Sequence, residues 1–349
     1  GSQVVALQKR LNELGYNCGK ADGIFGANTE SAVKKFQKAK GLSVDGIVGQ
    51  KTIAALFPVS KPDSEPIPNN SYKRFYGKAG ALKDKIVVID PGHGGKDPGA
   101  SRKKINEKDI VLDISLRLER MLKEAGATVI MTRDKDVFEE LSYRSAIANK
   151  EMLKTEIKKL GSAIDELDSQ IATLDAELEQ EKTALEEEKT ALEQKKKEFE
   201  GYINVLDKNP NQIPQDVKKV LFELADTEYR ENMVFVSIHV NSTEATSQTG
   251  ASGIRIYYTA SNEHNEQSRV EFAQTLLNEL KKSTDFSKTS SKPIEANLAV
   301  LRGHNFVSAL VEAGFINNPN DLQKLVEAQT REDIATGIYN GIVAHFNKK

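Results

Sequence analysis

The chain has 349 residues, of which 38% are hydrophobic, 29% charged and 6% aromatic, enough for two or three globular domains and too many for one small module. Its 49 Lys and Arg stand against 51 Asp and Glu, and a net charge of −2 leaves no electrostatic footprint for a nucleic acid partner. No apolar run approaches the roughly 20 residues of a bilayer span, and the lone Cys18 can close no intrachain disulfide.

Residues 3–57 hold an internal echo: DGIFGANTESAV at 22–33 returns as DGIVGQKTIAAL at 45–56. Val5, Leu7, Leu11 and Leu14, then Ala32, Val33 and Phe36, recur at helical steps. Each Asp-Gly pair marks a turn, and Asn28-Thr29 and Thr52 stand where helix caps are expected. The segment reads as a small three-helix domain. Over 58–84 the composition shifts, with Pro58, Pro62, Pro66 and Pro68 among Ser, Asn and Lys, which predicts a semi-rigid linker.

From Lys85 onward short β-branched runs alternate with amphipathic stretches. Strands are expected at Ile86–Ile89, Val129–Met131, Val234–Ile238, Ile254–Tyr258 and Ala309–Val311, and helices at 107–125, 264–282 and 330–346. The alternation predicts an α/β domain over 85–349, a mixed sheet covered by helices on both faces.

A helical insertion over 151–231 interrupts it. Ile157, Ile164, Ile171, Leu178, Leu185, Leu192 and Phe199 form one seven-residue column, and Leu153, Leu160, Leu167 and Leu174 a second, the signature of a coiled-coil seam. The second column gives way to Glu181, Glu188 and Lys195, so packing is expected to fade outward. An unbroken helix over 150–200 is about 75 Å long, more than residues 207–231 can retrace. A reversal near 180–195 is therefore expected, although no Gly or Pro marks it; the alternative is a crossing to a second subunit.

Two of the five histidines, His93 and His239, sit at strand ends, where an α/β sheet gathers its ligand crevice. Glu107 opens the following helix and can aim back at that crevice. Together they match the His₂Glu pattern of catalytic zinc. A strand-end histidine is also commonly capped or exposed, and Glu107 suits a helix-dipole carboxylate. Glu312 ends the apolar run SALVEAGF, where a charge is costly unless it has a partner or a task, so a raised pKa is expected there. Asn241 is a candidate substrate contact or loop cap. Arg133 and Arg144 are expected to hold the sheet through carboxylates, and His304 near Arg302 to line the groove, with Arg302 a candidate substrate contact. His264 and His345 are expected in solvent.

Two resemblances follow from the quoted runs. LQKRLNELGY, DGIFGANTESAVKKFQKAKGL and DGIVGQKTIAAL resemble the bacterial peptidoglycan-binding domain. IDPGHGGKDPGA, EKDIVLDISLRLERMLKEAGATVIMTRDKD, LSYRSAIAN, FVSIHVNS and LVEAGFINNPND resemble the zinc-dependent N-acetylmuramoyl-L-alanine amidases. That likeness implies one Zn2+ per chain on His93, Glu107 and His239, with Glu312 as general base and acid in cleaving the amide between N-acetylmuramic acid and L-alanine. It implies peptidoglycan as partner and work outside the cytoplasm, secreted or wall-associated, a signal peptide having been removed ahead of the cloning-like Gly1-Ser2. Some members carry a helical insertion that occludes the zinc until a partner withdraws it. The insertion here is similar in idea, though longer, and implies regulation by an activator protein, against a charged rod or dimerisation stalk; as a plug it would place a Glu of the return helix, which the sequence does not single out, at the open position of the zinc. The competing functions are a catalytically silent wall-binding scaffold and another zinc peptidase of the wall.

Overall fold

The computed structural model of the chain describes residues 2–48, 52, 55–56, 80–174, 179–243, 250–260 and 266–347. The prolines expected to form a linker lie outside the described residues.

The N-terminal domain contributes α1 (Ser2–Glu13) and α2 (Ala27–Ala39), and Thr52, Ala55 and Leu56 are also helical. Leu7, Leu11, Ala32, Val33, Phe36 and Leu56 form its core. The two repeats carry the same buried cage. Gln8 Nε2 donates to Asp22 Oδ1, the Ile24 carbonyl and Thr29 Oγ1 at 2.9, 3.0 and 3.0 Å, and Gln37 does the same to Asp45, Ile47 and Thr52 at 2.7, 3.0 and 3.0 Å. Thr29 and Thr52 thus brace the turns rather than cap helices; the residue preceding α2 is Gly26, with no side-chain cap.

The larger domain is built on a six-stranded sheet in the order β4-β1-β5-β8-β6-β7. These strands are β1 (Ile86–Pro91), β4 (Thr128–Met131), β5 (Met233–Asn241), β6 (Arg255–Tyr258), β7 (Ile294–Glu295) and β8 (Val307–Phe315). A small ribbon of β2 (Ser101–Arg102) and β3 (Ile105–Asn106) stands apart. β1, β4, β5 and β8 run parallel and β6 runs antiparallel to β8, so the sheet is mixed as expected.

Period-two alternation sorts the side chains between two layers. Val87, Ile89, Val234, Val236, Ile238, Val307, Ala309 and Val311 face α3 (Glu107–Glu124), α7 (Glu266–Ser283), α9 (Pro319–Leu325) and α10 (Ala328–Phe346). Val88, Phe235 and Leu310 face α4 (Leu141–Thr173), α5 (Glu179–Lys208), α6 (Gln215–Thr227) and α8 (Ala299–Arg302). In α3 the burial of Ile110, Ile114, Leu118, Met121 and Leu122 follows the helical repeat.

The insertion is an antiparallel helical hairpin. Lys189 pairs with Asp168 at 2.5 Å and Lys150 with Asp207, placing α5 alongside α4 in reverse. α4 ends at Thr173 and α5 begins at Glu179, so the 180–195 window expected to hold the reversal lies within α5. Leu153, Leu160, Ile164, Leu167 and Phe199 are buried, whereas Ile171, Leu174, Leu185 and Leu192 are half-buried, so the seam loosens toward the turn as expected.

Candidate metal centre

The site forms at the carboxyl ends of β1, β5 and β8. β1 runs out at Pro91, and Gly92 leaves room for a ring from the neighbouring strand: a Cβ there would lie 2.3 Å from His239 Cε1. The chain then turns through His93, which takes a left-handed φ of 57°. Gly99, at φ +63°, brings the loop back so closely that a Cβ would fall 2.6 Å from both Glu107 Oε2 and His93 Cδ2.

Glu107 is the first residue of α3 and is nearly fully buried. Its carboxylate accepts backbone N–H bonds from Ala100 and Val240, both at 2.9 Å. Oε1 lies 2.9 Å from His239 Nδ1, and Oε2 lies 3.2 Å from His93 Nε2. Asp97 holds the other nitrogen of His93, Nδ1, at 2.7 Å. His93, Glu107 and His239 therefore offer ligand atoms within 4.8 Å of one another. Two imidazoles and one carboxylate, with a further carboxylate behind one ring, form a donor set that suits a divalent cation.

Charge follows this geometry. Burial pushes Glu107 up, but the two imidazoles outweigh it and hold the carboxyl far below its usual range. Burial opposes charge on His93, yet Glu107 and Asp97 lift it to about 9, and Glu107 likewise lifts His239 against its burial.

Glu312 stands beside His239 in the β5–β8 register. Among the described residues its buried Oε2 has no hydrogen-bond partner. Burial raises its pKa to about 7; the charge of Glu107 adds to the shift, while His239 and His93 oppose it.

A buried frame fixes the loop. Asp90 accepts from Thr132 Oγ1, Ser237 Oγ and Arg144 Nη1 at 2.6, 2.7 and 2.8 Å. Arg144 also donates to the carbonyls of Pro91 and His93, both at 2.6 Å. Arg133 donates to the carbonyls of Pro91, Gly92 and Lys108 at 2.9, 2.7 and 3.0 Å. Only Arg144 acts through a carboxylate; Arg133 works on carbonyls, tying the end of β1 and the following loop to the first turn of α3.

Asn241 hydrogen-bonds Tyr257, and its carbonyl accepts from Ile316 N at 2.9 Å. Arg302 is exposed on α8. His304 does not line the groove. It is buried between Phe235 and Phe306, with ring centroids 4.4 and 5.2 Å away, and burial drops its pKa to about 3. Nor is His345 fully solvated: it is half-buried against Phe272, with centroids 4.8 Å apart. His264 lies outside the described residues. Asp97, Asp90 and Tyr257 were not singled out from sequence. For Asp97 a signal existed in the four-residue step from His93 within GHGGKD.

Of the described hairpin residues beyond Lys150, none hydrogen-bonds or ion-pairs with His93, Glu107, His239 or Glu312. No helix among the described residues is long and apolar enough to cross a membrane.

Two family descriptions match the chain. The description "N-acetylmuramoyl-L-alanine amidase" matches residues 87–157 and 206–344, and "Putative peptidoglycan binding domain" matches 1–56. The break in the first match falls inside the expected insertion, and the match resumes before α6. The chain is 25% identical over 268 residues to the germination-specific N-acetylmuramoyl-L-alanine amidase of Bacillus subtilis, covering 77% of this chain and 82% of that one. It is 32% identical over 155 residues to the amidase CwlM of Mycobacterium tuberculosis, covering 43% of this chain and 38% of the relative's length. The solved catalytic domain of CwlV from Bacillus (Paenibacillus) polymyxa shares 22% identity and a TM-score of 0.46, covering 76% of this chain and 99% of that one.

Proposed function

Because the chain belongs to the N-acetylmuramoyl-L-alanine amidase family, we propose that it hydrolyses the amide joining the lactyl group of N-acetylmuramic acid to the L-alanine of the stem peptide. One zinc ion is held by His93, Glu107 and His239, and Glu312 is the proton carrier. The observation that carries this reading is the convergence of three ligand groups, distant in sequence, within 4.8 Å of one another, with Glu312 in register beside His239.

When bound, zinc lowers the pKa of water toward about 7 and polarises the scissile carbonyl. The remaining work belongs to the chain. Asp97 orients the His93 ring so that Nε2 faces Glu107. Glu312, half-buried with its Oε2 enclosed and without a hydrogen-bond partner among the described residues, takes the proton of the attacking water and returns it to the departing amine. Asn241 contacts substrate beside Tyr257, and Arg302 contacts it at the outer rim. A silent scaffold is disfavoured, because a buried carboxylate oxygen without a partner is costly in a protein with no reaction to run.

Residues 3–57 anchor the enzyme on peptidoglycan outside the cytoplasm, 58–84 link it, and 85–349, interrupted by 151–231, cleave. The hairpin regulates the site through α4, whose Arg144 grips the His93 carbonyl, and an activator protein acts along that helix. This differs from a plugging Glu.

The test is mass spectrometry of digested peptidoglycan. The wild type is expected to release stem peptides beginning with L-alanine, and Glu312→Gln to slow that release by about 10²–10⁴-fold while binding zinc at the wild-type level. Cleavage between amino acids would point to a peptidase, and loss of zinc from the variant would make Glu312 a ligand.

A further inference from the structure

The wall that continues the site beyond Glu312 carries a fixed cation. Glu312 has a registered neighbour on each side, His239 on β5 and Arg255 on β6. Registered neighbours stand side by side on one face of a sheet, so His239, Glu312 and Arg255 form a row across three strands. Past this row the pairing slips: His239 registers with Glu312, but Asn241 registers with Phe315. The bulge brings Phe315 to the face of Asn241, and the Arg255 guanidinium lies 5.4 Å from the Phe315 ring centroid.

Arg255 is tied at one corner only. Nη1 donates to the carbonyls of Ile254 and Lys288 at 3.0 and 2.8 Å. Among the described residues no carboxylate pairs with it, and Nε and Nη2 have no hydrogen-bond partner. A half-buried guanidinium, stacked on a ring and fixed in orientation with one edge unspent, is a receptor for a planar anion.

Building on the hydrolytic reading above, we propose that Arg255 binds a carboxylate of the leaving peptide and makes the enzyme selective for stems in which the residue after the alanine carries a free α-carboxylate. Glu312 must stand beside the leaving amine to protonate it. The metal ligand His239 occupies one side of Glu312, so the peptide departs on the other, across β8 toward β6. Neighbouring strands are about 4.8 Å apart and one extended residue spans about 3.5 Å, which brings the residue following the alanine within reach of Arg255. In wall stems that residue is a glutamate joined through its side chain. Its α-carboxyl projects from the chain either as a carboxylate or as a primary amide, and a guanidinium distinguishes the two.

The experiment compares kcat/KM on two muropeptides identical except for that carboxyl, using zinc-loaded wild type, Arg255→Gln and Arg255→Lys. The wild type is expected to favour the carboxylate by about tenfold, Arg255→Gln to bring the ratio close to one, and Arg255→Lys, which keeps the charge and guards against misfolding, to fall between. Equal cleavage of both substrates by the wild type, or a ratio that Arg255→Gln leaves intact, overturns the proposal. Failure of the wild type to cleave either substrate overturns the reading of the site on which it rests.

Discussion

His304 illustrates what burial does to a single side chain here. Its ring lies between Phe235 and Phe306, and the charged groups acting on it are the Arg269 guanidinium, which opposes protonation, and Asp90, which favours it less strongly than burial and Arg269 resist it. With a folded pKa of about 3 against 6.5 for the free group, the unfolded chain binds the proton first as pH falls. The native state therefore keeps its full stability above pH 6.5 and loses about 1.4 kcal/mol per pH unit below it, until pH nears 3. Replacing the ring by Phe removes that loss. His304→Phe is expected to gain about 2 kcal/mol relative to wild type between pH 7 and pH 5 in denaturant melts, and parallel pH dependences would contradict the assignment. At this scale the sequence announces residues that break a pattern: His93 in a glycine run, Glu312 in an apolar strand. Asp97, Gln8 and Gln37 break none, because their roles lie in hydrogen bonds that only the folded loop creates.

The hairpin of α4 and α5 shows how far an element can be read from its seam. The heptad columns mark both helices, but the reversal is set by where the chain leaves the helix, and no Gly or Pro marks that place. Burial differs along its length. Leu153, Leu160, Phe199 and Leu206 belong to the core shared with β1, β5 and β8, whereas Leu185 and Leu192 are half-buried. Removing all of 151–231 would also strip Val217, Leu221 and Tyr229 from that core. Gly161 and Lys196 face each other across the hairpin, a Cβ on the glycine lying 3.8 Å from Nζ, so a short loop can join them. A chain lacking 162–195 is expected to keep the melting profile of the wild type and, if the hairpin restrains α4, to hydrolyse peptidoglycan faster than wild type. A folded variant with unchanged or lower activity would favour the stalk.

Across the whole molecule, one sheet serves two helical layers and gathers the chemistry at its carboxyl edge. The alternation of apolar runs made this architecture legible. The antiparallel β6, which places Arg255 beside Glu312, was not legible, because strand direction depends on the path of the connection. The short β2, β3 and β7 were missed for want of length. Asp90, Arg144 and Arg133 bind the loop at the end of β1 to the sheet and to α4, so His93 inherits the rigidity of the fold. Whether zinc sits at this edge can be read from an anomalous-scattering map of zinc-loaded crystals recorded across the zinc absorption edge. The expected result is one peak about 2.0–2.2 Å from His93 Nε2, a Glu107 oxygen and a His239 ring nitrogen. A zinc-loaded crystal with no peak there, or with its peak on other residues, would show that His93, Glu107 and His239 do not hold the metal.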